Sequence, residues 1–578
     1  MKPSPPSRPE RTAAAHHSAA LPDSLSPRTC FIAVLCLVAT VFAIYSPTLH
    51  FQFVLDDHRF TSDPRIQSSG YVWDYFANYV WAQFTGGPPS FYRPIFILWL
   101  RINFILSELS PWGWHVLSIT KHLAAAVLLG WLAWKLLRDR TAALLAATLF
   151  AMHPAQAESV AWVTVPDPLM SICIFGALLL YLRYVDAGTI PERVGGTKSR
   201  KTQAQKPQAS TRWLAASTAA CLAAMLAKET AIVFPAVIFA LALAGFQTTE
   251  DSSFGTRTLQ ALRRTVPFLC ATAAYVLMRL NALGGNFGAR TQHLPWTTVV
   301  LSWPATFWFY VRVLFWPSRS FAFADPTLAN GFSIREVLLP GLGVLCAFAI
   351  LAVTCLWAWK KARRELSVQE AIGVEQALLT GVTLLVLPLL LALNLNALNP
   401  GDFLHGRYTY LPLAGLMLLL ATAWHLTTTL RLPFLCVGGF LALVFAVLTL
   451  QQEQPWKDDL TLFTAAHQLA PHNAPVAQNL ANAHVQAALQ LNEEGRCTEA
   501  LPVFEQVINE YPQDWFAWAG LGDCQAQLND LPKAEESLHR AADLSHNPRV
   551  VQQWQQLRAS MGLTNSSEPG SDQPDSPH

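Results

Sequence analysis

The chain has 578 residues, of which 52% are hydrophobic and only 13% are charged. A soluble protein of this length carries about a quarter charged residues, and the balance of 40 basic against 38 acidic residues excludes a bulk electrostatic attraction to nucleic acid. Repeated apolar runs of about twenty residues instead predict a polytopic membrane protein embedded in a lipid bilayer.

The N-terminal part of the chain predicts a tail followed by a series of membrane spans. Residues 1–29 are rich in Pro, Ser and Ala and show no clear cleavage site, so we predict a disordered cytoplasmic tail before an uncleaved first span. About eleven spans are predicted, at 30–46, 115–137, 141–153, 166–185, 213–228, 230–246, 266–282, 335–359, 376–394, 408–427 and 432–450. Clustered Lys and Arg, as in "KKARR" at 360–364, place their loops in the cytoplasm. Residues 47–114, 395–407 and everything after 450 then lie outside the cytoplasm.

The segment 297–317 is the exception to this pattern. It is apolar enough to span, but a crossing here would invert the position of "KKARR". Pro304 and Arg312 interrupt the run, so we predict an interfacial or re-entrant helix on the outer side.

Beyond residue 450 the sequence predicts helical repeats. Phe504 and Leu538 are 34 residues apart, and Phe463 precedes Phe504 by 41 residues. The sequence "WAGLG" at 518–522 has the W-x2-L-G start of a tetratricopeptide repeat. We therefore predict about two and a half such repeats over 451–560, with an ordinary amphipathic helical bundle as the alternative, and a disordered tail at 561–578.

The first outer loop carries two adjacent acids, Asp56 and Asp57, in "FQFVLDDHRF". Charges near the edge of a bilayer are costly enough that a clustered pair indicates function. One carboxylate can act as a base while its neighbour orients a partner or adjusts its pKa. The alternative is a solvated turn at the end of a span.

Further polar residues are predicted on the same outer face. The candidate binding residues are Arg93, His153, Glu158, Lys228, Glu229, Arg407 and Tyr408. Arg and Lys beside an aromatic-rich apolar groove suit a lipid-linked phosphate, because arginine forks onto phosphate oxygens. The alternatives are that Lys228 and Glu229 pair with each other, that His153 is a structural histidine, that Arg93 ties the long loop and that Arg407 anchors at the membrane edge.

Five short motifs occur in an order that resembles a known family. They are "LDD" (55–57), "YRP…RIN…SPWGWH" (92–115), "LFAMHPAQAESVAW" (149–162), "AKET" (227–230) and "GRYTYLPLAGL" (406–416), and the repeats follow them. This order resembles the GT-C glycosyltransferase superfamily and, more narrowly, the transmembrane and tetratricopeptide repeat protein family with its bacterial relatives. The resemblance implies an all-α fold: a GT-C-like polytopic membrane helical bundle over 30–450, including the outer loop 47–114, followed by a tetratricopeptide solenoid over 451–560.

The resemblance also implies an activity and roles for residues. The activity is inverting transfer of a sugar, mannose, from a polyprenyl-phosphate donor to an acceptor hydroxyl on protein, outside the cytoplasm and at a bacterial inner membrane. The acidic motif of the family falls on Asp56 and Asp57, and its "RY" motif on Arg407 and Tyr408. Its "KE" position falls on 228–229.

Two points depart from the pattern or stay open. Pro166 precedes Asp167 where bacterial relatives carry a basic residue, so a phosphate contact there is in doubt and Asp167 reads equally as a helix N-cap. The doublet lacks D-x-D spacing, which leaves a divalent metal open and assigns no metal ligand. The repeats suit a protein acceptor or partner, and the rival interpretation is a non-catalytic membrane scaffold that displays them.

Overall fold

The computed structural model describes residues 25–84, 90–188, 206–245, 254–285, 294–317, 328–398, 403–427 and 431–563. Within these residues every element of secondary structure is a helix, which confirms the all-α prediction. The predicted disordered tails fall at 1–29 and 561–578, and all but a few of their residues lie outside the described part.

The first half of the chain contains α-helices joined by loops and short 3-10 helices. The α-helices of five residues or more are α1 (Pro27–Tyr45), α2 (Asp56–Ser62), α3 (Pro94–Ser107), α4 (Pro111–Leu137), α5 (Arg140–Met152), α6 (Ala157–Ala161), α7 (Asp167–Gly188), α8 (Lys206–Ala227), α9 (Phe234–Gly245) and α10 (Phe254–Ala282). The second half continues the bundle with α11 (Trp296–Phe315), α12 (Leu339–Glu365), α13 (Val368–Ala392), α14 (Tyr410–Leu426) and α15 (Arg431–Glu453). One continuous buried apolar core runs through most of these helices.

Nine helical segments in the described residues are long and apolar enough to cross a membrane, judged by length and composition. Eight of them fall on predicted spans, and the ninth is α11, which sequence analysis assigned to the interface. The predicted spans at 141–153, 213–228 and 230–246 fall on shorter apolar helices. The 13 residues of α5 reach only about 20 Å at the rise of an α-helix, less than the roughly 30 Å of hydrocarbon. Whether α11 crosses the bilayer or lies at its surface stays a prediction.

Close helix packing in the bundle depends on glycine at one crossing. A Cβ added at Gly415 in α14 would lie 2.5 Å from the carbonyl oxygen of Gly381 in α13. Small residues at such a crossing let two membrane helices approach closely enough for van der Waals contact between backbones. This crossing positions the N-terminus of α14, which directly follows the "GRYT" segment of the candidate site.

A buried arginine organises the loop that contains Asp63. The Arg65 side chain is 1% exposed, and it donates to Asp63 from Nε to Oδ1 at 3.2 Å and from Nη2 to Oδ2 at 2.7 Å. It also donates to the carbonyl oxygens of Tyr79 and Val80, and the Tyr75 hydroxyl donates to the Arg65 carbonyl. A buried charge paired and hydrogen-bonded in this way ties distant parts of a loop that has only short helices of its own.

The C-terminal region is a stack of antiparallel helices. They are α16 (Asp459–Leu469), α17 (Ala474–Glu493), α18 (Cys497–Glu510), α19 (Trp515–Gln527), α20 (Leu531–Ser545) and α21 (Pro548–Ser560). Side chains of Asp458, Asn473, Asp514 and Asn547 cap four of their N-termini. The 20 residues of α17 account for the long interval between Phe463 and Phe504.

A disulfide that sequence analysis did not predict crosses the repeats. Cys497 at the start of α18 is bonded to Cys524 in α19, with 5.1 Å between their Cα atoms. The two cysteines are the last in the chain and lie in its polar region, but their separation of 27 positions matches no recognisable spacing. Only the antiparallel packing of α18 on α19 brings them together.

We expect loss of this disulfide to weaken the repeats selectively. Closing a loop with a sequence separation of 27 residues restricts the unfolded chain by an amount worth about 3–4 kcal/mol. Cys497→Ser with Cys524→Ser should therefore expose α18 and α19 to protease at a lower temperature in the full-length protein. Cys436→Ser, at an exposed free cysteine, is the matched control. Equal protease resistance of the double variant and the control would contradict the prediction.

Candidate functional site

Asp57 is the buried member of the acidic pair and joins two loops. It lies in the first turn of α2 and is 0% exposed. Its Oδ2 accepts the Val54 N–H at 3.1 Å, and its Oδ1 accepts the Thr164 N–H at 3.2 Å and the Thr164 hydroxyl at 2.6 Å. Burial raises the pKa of Asp57 to about 7, although these hydrogen bonds act to lower it. Asp57 therefore anchors the acidic loop to the segment that follows α6.

Asp56 is the more accessible member and follows a strained residue. Leu55 adopts φ 54° and ψ −125°, a backbone conformation that glycine tolerates and larger L-residues rarely adopt. Strain of this kind persists where surrounding contacts over-determine the backbone, and it clusters at functional sites. The Asp56 side chain is half-buried. The doublet thus divides into one anchoring carboxylate and one that faces partly outward.

Glu158 gathers the residues of the late "GRYT" motif. Its Oε1 accepts the His405 Nδ1–H at 2.8 Å, and its Oε2 accepts the backbone N–H of Arg407 at 3.0 Å. The Arg407 Nε lies 3.7 Å from Oε1. Burial disfavours the charged carboxylate, but His405 and Arg407 together hold the pKa of Glu158 below its usual value. The glutamate therefore positions Arg407, with which it forms an ion pair.

The "KE" residues form two separate ion pairs. Lys228 Nζ donates to both oxygens of Asp167 at 2.6 Å, and Arg93 donates to Glu229 at 2.8 and 2.5 Å. The alternative in which Lys228 and Glu229 pair with each other is therefore wrong, because Lys228 binds the first residue of α7 and Glu229 binds the residue that precedes α3. Asp167 is the first residue of α7 rather than its N-cap, and its carboxylate is committed to the lysine.

Three cations are concentrated in this region. Lys228 experiences the charges of both Arg93 and Arg407, and Arg93 in turn experiences that of Arg407. Aromatic rings flank them: Arg407 lies 4.4 Å from the Trp162 ring centroid, and Lys228 lies 5.3 Å from that of Tyr408. Such a set can bind an anion that carries more than one negative charge.

His153 has a structural environment. Its Nε2–H donates to the Leu314 carbonyl at 3.2 Å, its Nδ1 accepts the Ala155 N–H at 3.2 Å, and its ring packs edge-on against Phe445. Both ring nitrogens are used by the backbone of the protein itself, which favours the structural role over substrate binding. His153 is therefore the weakest of the predicted binding residues.

The site contains residues that sequence analysis did not single out. Trp162 is the last residue of the 149–162 motif and Thr164 lies just beyond it, and nothing in their spacing marks either as a site residue. Lys121, which lies inside the apolar helix α4, is 3% exposed and interacts through space with the carboxylates of Asp57 and Asp167. Its position within an apolar run was a signal available in the sequence. In the described residues no group of three His, Cys, Asp or Glu side chains is arranged to hold a metal.

Removing one partner of the Lys228–Asp167 pair should destabilise the bundle. The two side chains are 5% and 4% exposed, and an uncompensated buried charge costs about 3–5 kcal/mol. Lys228→Met should lower the midpoint of thermal unfolding in detergent, and adding Asp167→Leu should recover most of the loss. Lys361→Met, which breaks the exposed pair with Glu365, is the control. No recovery in the double variant would contradict the pairing.

The raised pKa of Asp57 predicts a pH-dependent stability. The folded protein holds this proton up to a pH of about 7, whereas the unfolded chain releases it near pH 4. The contribution of Asp57 is thus complete at low pH and falls by about 1.4 kcal/mol per unit as pH rises from 5 to 7. The free energy of unfolding of the wild type minus that of Asp57→Asn should fall accordingly. A difference that rises with pH would contradict the assignment.

The sequence pattern of the tetratricopeptide repeat family matches residues 491–560, which confirms predicted repeats in that part of the chain. Protein O-mannosyl-transferase TMTC3 of Homo sapiens is 25% identical over 553 residues, covering 89% of this chain and 55% of that protein. Protein O-mannosyl-transferase TMTC1 of Homo sapiens is 25% identical over 515 residues, covering 83% of this chain and 55% of that protein. The chain spans about half the length of the curated relatives it matches.

Among solved structures, the apo oligosaccharyltransferase of Archaeoglobus fulgidus aligns with a TM-score of 0.37 at 13% identity, covering 79% of this chain and 60% of that one. At this TM-score the superposition does not support a conclusion about the chain. The resemblance inferred from the order of motifs is confirmed by sequence comparison. Over most of its length the chain is similar to the protein O-mannosyl-transferases of the transmembrane and tetratricopeptide repeat family, and it carries tetratricopeptide repeats at 491–560.

Proposed function

We propose that the chain is a membrane glycosyltransferase that transfers mannose from a polyprenyl-phosphate donor to a hydroxyl of a protein acceptor. The observation that carries the proposal is the loop 162–167, which links the acidic pair to the cation cluster. Thr164 binds Asp57, Trp162 lies under Arg407, and Asp167 binds Lys228. A general base and a phosphate-binding group are the two parts that such a transfer needs.

In the proposed reaction Asp56 is the base and Asp57 its positioning residue. The Asp56 carboxylate takes the proton of the acceptor hydroxyl as the acceptor oxygen forms its bond to the anomeric carbon. The bond between that carbon and the phosphate oxygen breaks, and its electron pair leaves with the polyprenyl phosphate. Attack from the face opposite the phosphate inverts the configuration at the anomeric carbon.

Arg407 is the proposed contact for the departing phosphate. Its guanidinium is 16% exposed, and its carboxylate partner binds it mainly through the backbone N–H, with a 3.7 Å side-chain contact. The carboxylates that pair with Lys228 and Arg93 lie closer, at 2.6 and 2.5 Å, and both cations add positive charge near Arg407. Tyr408 lies between Lys228 and Arg407, within reach of both cations. Charge that increases on the phosphate oxygens during transfer is stabilised by such prearranged cations.

We further propose that the site and the repeats face an oxidising compartment, outside the cytoplasm. The disulfide in the repeats supports this side, because disulfides persist in the periplasm and in secretory compartments and are rare in the cytosol. The positive-inside distribution of basic loops supports the same orientation. A bacterial inner membrane and the boundaries of the two domains at 30–450 and 451–560 belong to this proposal.

Loss of the base should abolish transfer without loss of the protein. Asp56→Asn keeps the size of the side chain but cannot accept the proton, so the rate should fall by about 10²–10⁴-fold. The measurement is transfer of radiolabelled mannose from polyprenyl-phosphate mannose to protein by the purified enzyme. Asp186→Asn changes an exposed aspartate at the other end of α7 and is the control. If Asp56→Asn retains wild-type transfer, the catalytic assignment fails; if the wild type transfers nothing, the scaffold interpretation is favoured.

A further inference from the structure

The first helix of the C-terminal region is bound to the strained loop that precedes Asp56. The Asp459 Oδ1 accepts the backbone N–H of Leu55 at 3.0 Å. Its Oδ2 lies 2.9 Å from the His58 Nε2, whose N–H donates to it. One carboxylate therefore binds the residue before the acidic pair and the residue after it, across about 400 positions of sequence.

The same segment is attached to the loop by other contacts. The Gln52 N–H donates to the Lys457 carbonyl at 2.8 Å. Trp456 stacks on Trp162 with ring centroids 5.7 Å apart. Phe51, Val54, Trp162, Trp456, Leu462, Phe463 and Val476 belong to one buried apolar cluster. The C-terminal region therefore packs directly against the loops that form the candidate site.

Leu55 needs such support because of its backbone conformation. At φ 54° and ψ −125° a leucine is strained by its Cβ, and strain of this kind persists only where surrounding contacts hold the backbone. A hydrogen bond to a charged acceptor is among the stronger contacts available for that purpose. The direction in which Asp56 leaves the backbone follows from the dihedral angles of Leu55.

We infer that Asp459 is a positioning residue for the reaction, which holds the Leu55 backbone in its left-handed conformation and so aims the Asp56 carboxylate. The inference rests on the proposed function and deepens it, because it makes the C-terminal helices part of the catalytic site. Asp459 itself touches the loop backbone and His58, and acts through Asp56.

The test compares two adjacent aspartates in the purified full-length protein. Asp459→Ala removes the acceptor of the Leu55 N–H, whereas Asp458→Ala removes the N-cap of the same helix and leaves the loop contacts in place. Hydrogen exchange of the Leu55 amide should become at least tenfold faster in Asp459→Ala and remain unchanged in Asp458→Ala. Equal exchange of this amide in wild type and Asp459→Ala would overturn the inference, whatever the protein's activity.

Kinetics with polyprenyl-phosphate mannose separate positioning from a general loss of structure. Asp459→Ala should lower kcat about tenfold, equivalent to about 1.4 kcal/mol, with the KM for the donor within twofold of wild type. Asp459→Asn keeps an oxygen that can accept the Leu55 N–H, and should stay within threefold of the wild-type kcat. An equal loss in Asp458→Ala would overturn the positioning role, because it would trace the effect to the helix and not to the contact.

Replacing the strained Leu55 by glycine provides an independent test. Glycine adopts a positive φ without steric penalty, so the contact with Asp459 should matter less in a Leu55→Gly background. The fall in kcat caused by Asp459→Ala should shrink there to less than threefold. The same tenfold fall in both backgrounds would overturn action through the Leu55 backbone. Absence of transfer by the wild type would overturn the proposed function and the catalytic part of this inference, while the exchange rates still decide whether Asp459 holds the loop.

Discussion

The Asp57 carboxylate, held by Val54 and Thr164, is the contact on which the arrangement of the candidate site depends. A buried carboxylate is expensive unless its oxygens are hydrogen-bonded, so the two loops that supply the donors must stay together. The loop that contains Thr164 also presents Trp162 to Arg407 and leads directly into Asp167. One buried acid thus determines where the acidic loop stands relative to the cations.

The charges of the site are balanced in pairs. Each cation has a carboxylate partner, and the pairs are Arg93 with Glu229, Lys228 with Asp167, and Arg407 with Glu158. Buried charges are tolerated only when compensated, which explains why acids accompany the bases in this cluster. The shortest side-chain contact with the paired carboxylate is 2.5 Å at Arg93, 2.6 Å at Lys228 and 3.7 Å at Arg407. Glu158 therefore holds the Arg407 side chain less closely than the other two acids hold theirs.

The C-terminal helices contribute to the same wall. Trp456 stacks on Trp162, which in turn lies under Arg407, and Asp459 binds the backbone beside Asp56. Repeats of this type usually offer a concave surface for a partner. In this chain their first helix also binds the backbone of Leu55, whose conformation is one that leucine rarely adopts.

The sequence alone determined the all-helical membrane class, the repeats and the identity of the charged motifs, because hydrophobic period and motif order are local properties. It also brought Asp56, Arg93, Glu158 and Arg407 to one predicted face. It could not show which charged side chains form ion pairs, since Lys228 binds an acid 61 positions away and not its neighbour Glu229. Tertiary packing also decided three further features: the different burial of Asp56 and Asp57, the disulfide, and the contact with Asp459. Each depends on distances between segments far apart in the chain, which no spacing along one helix encodes.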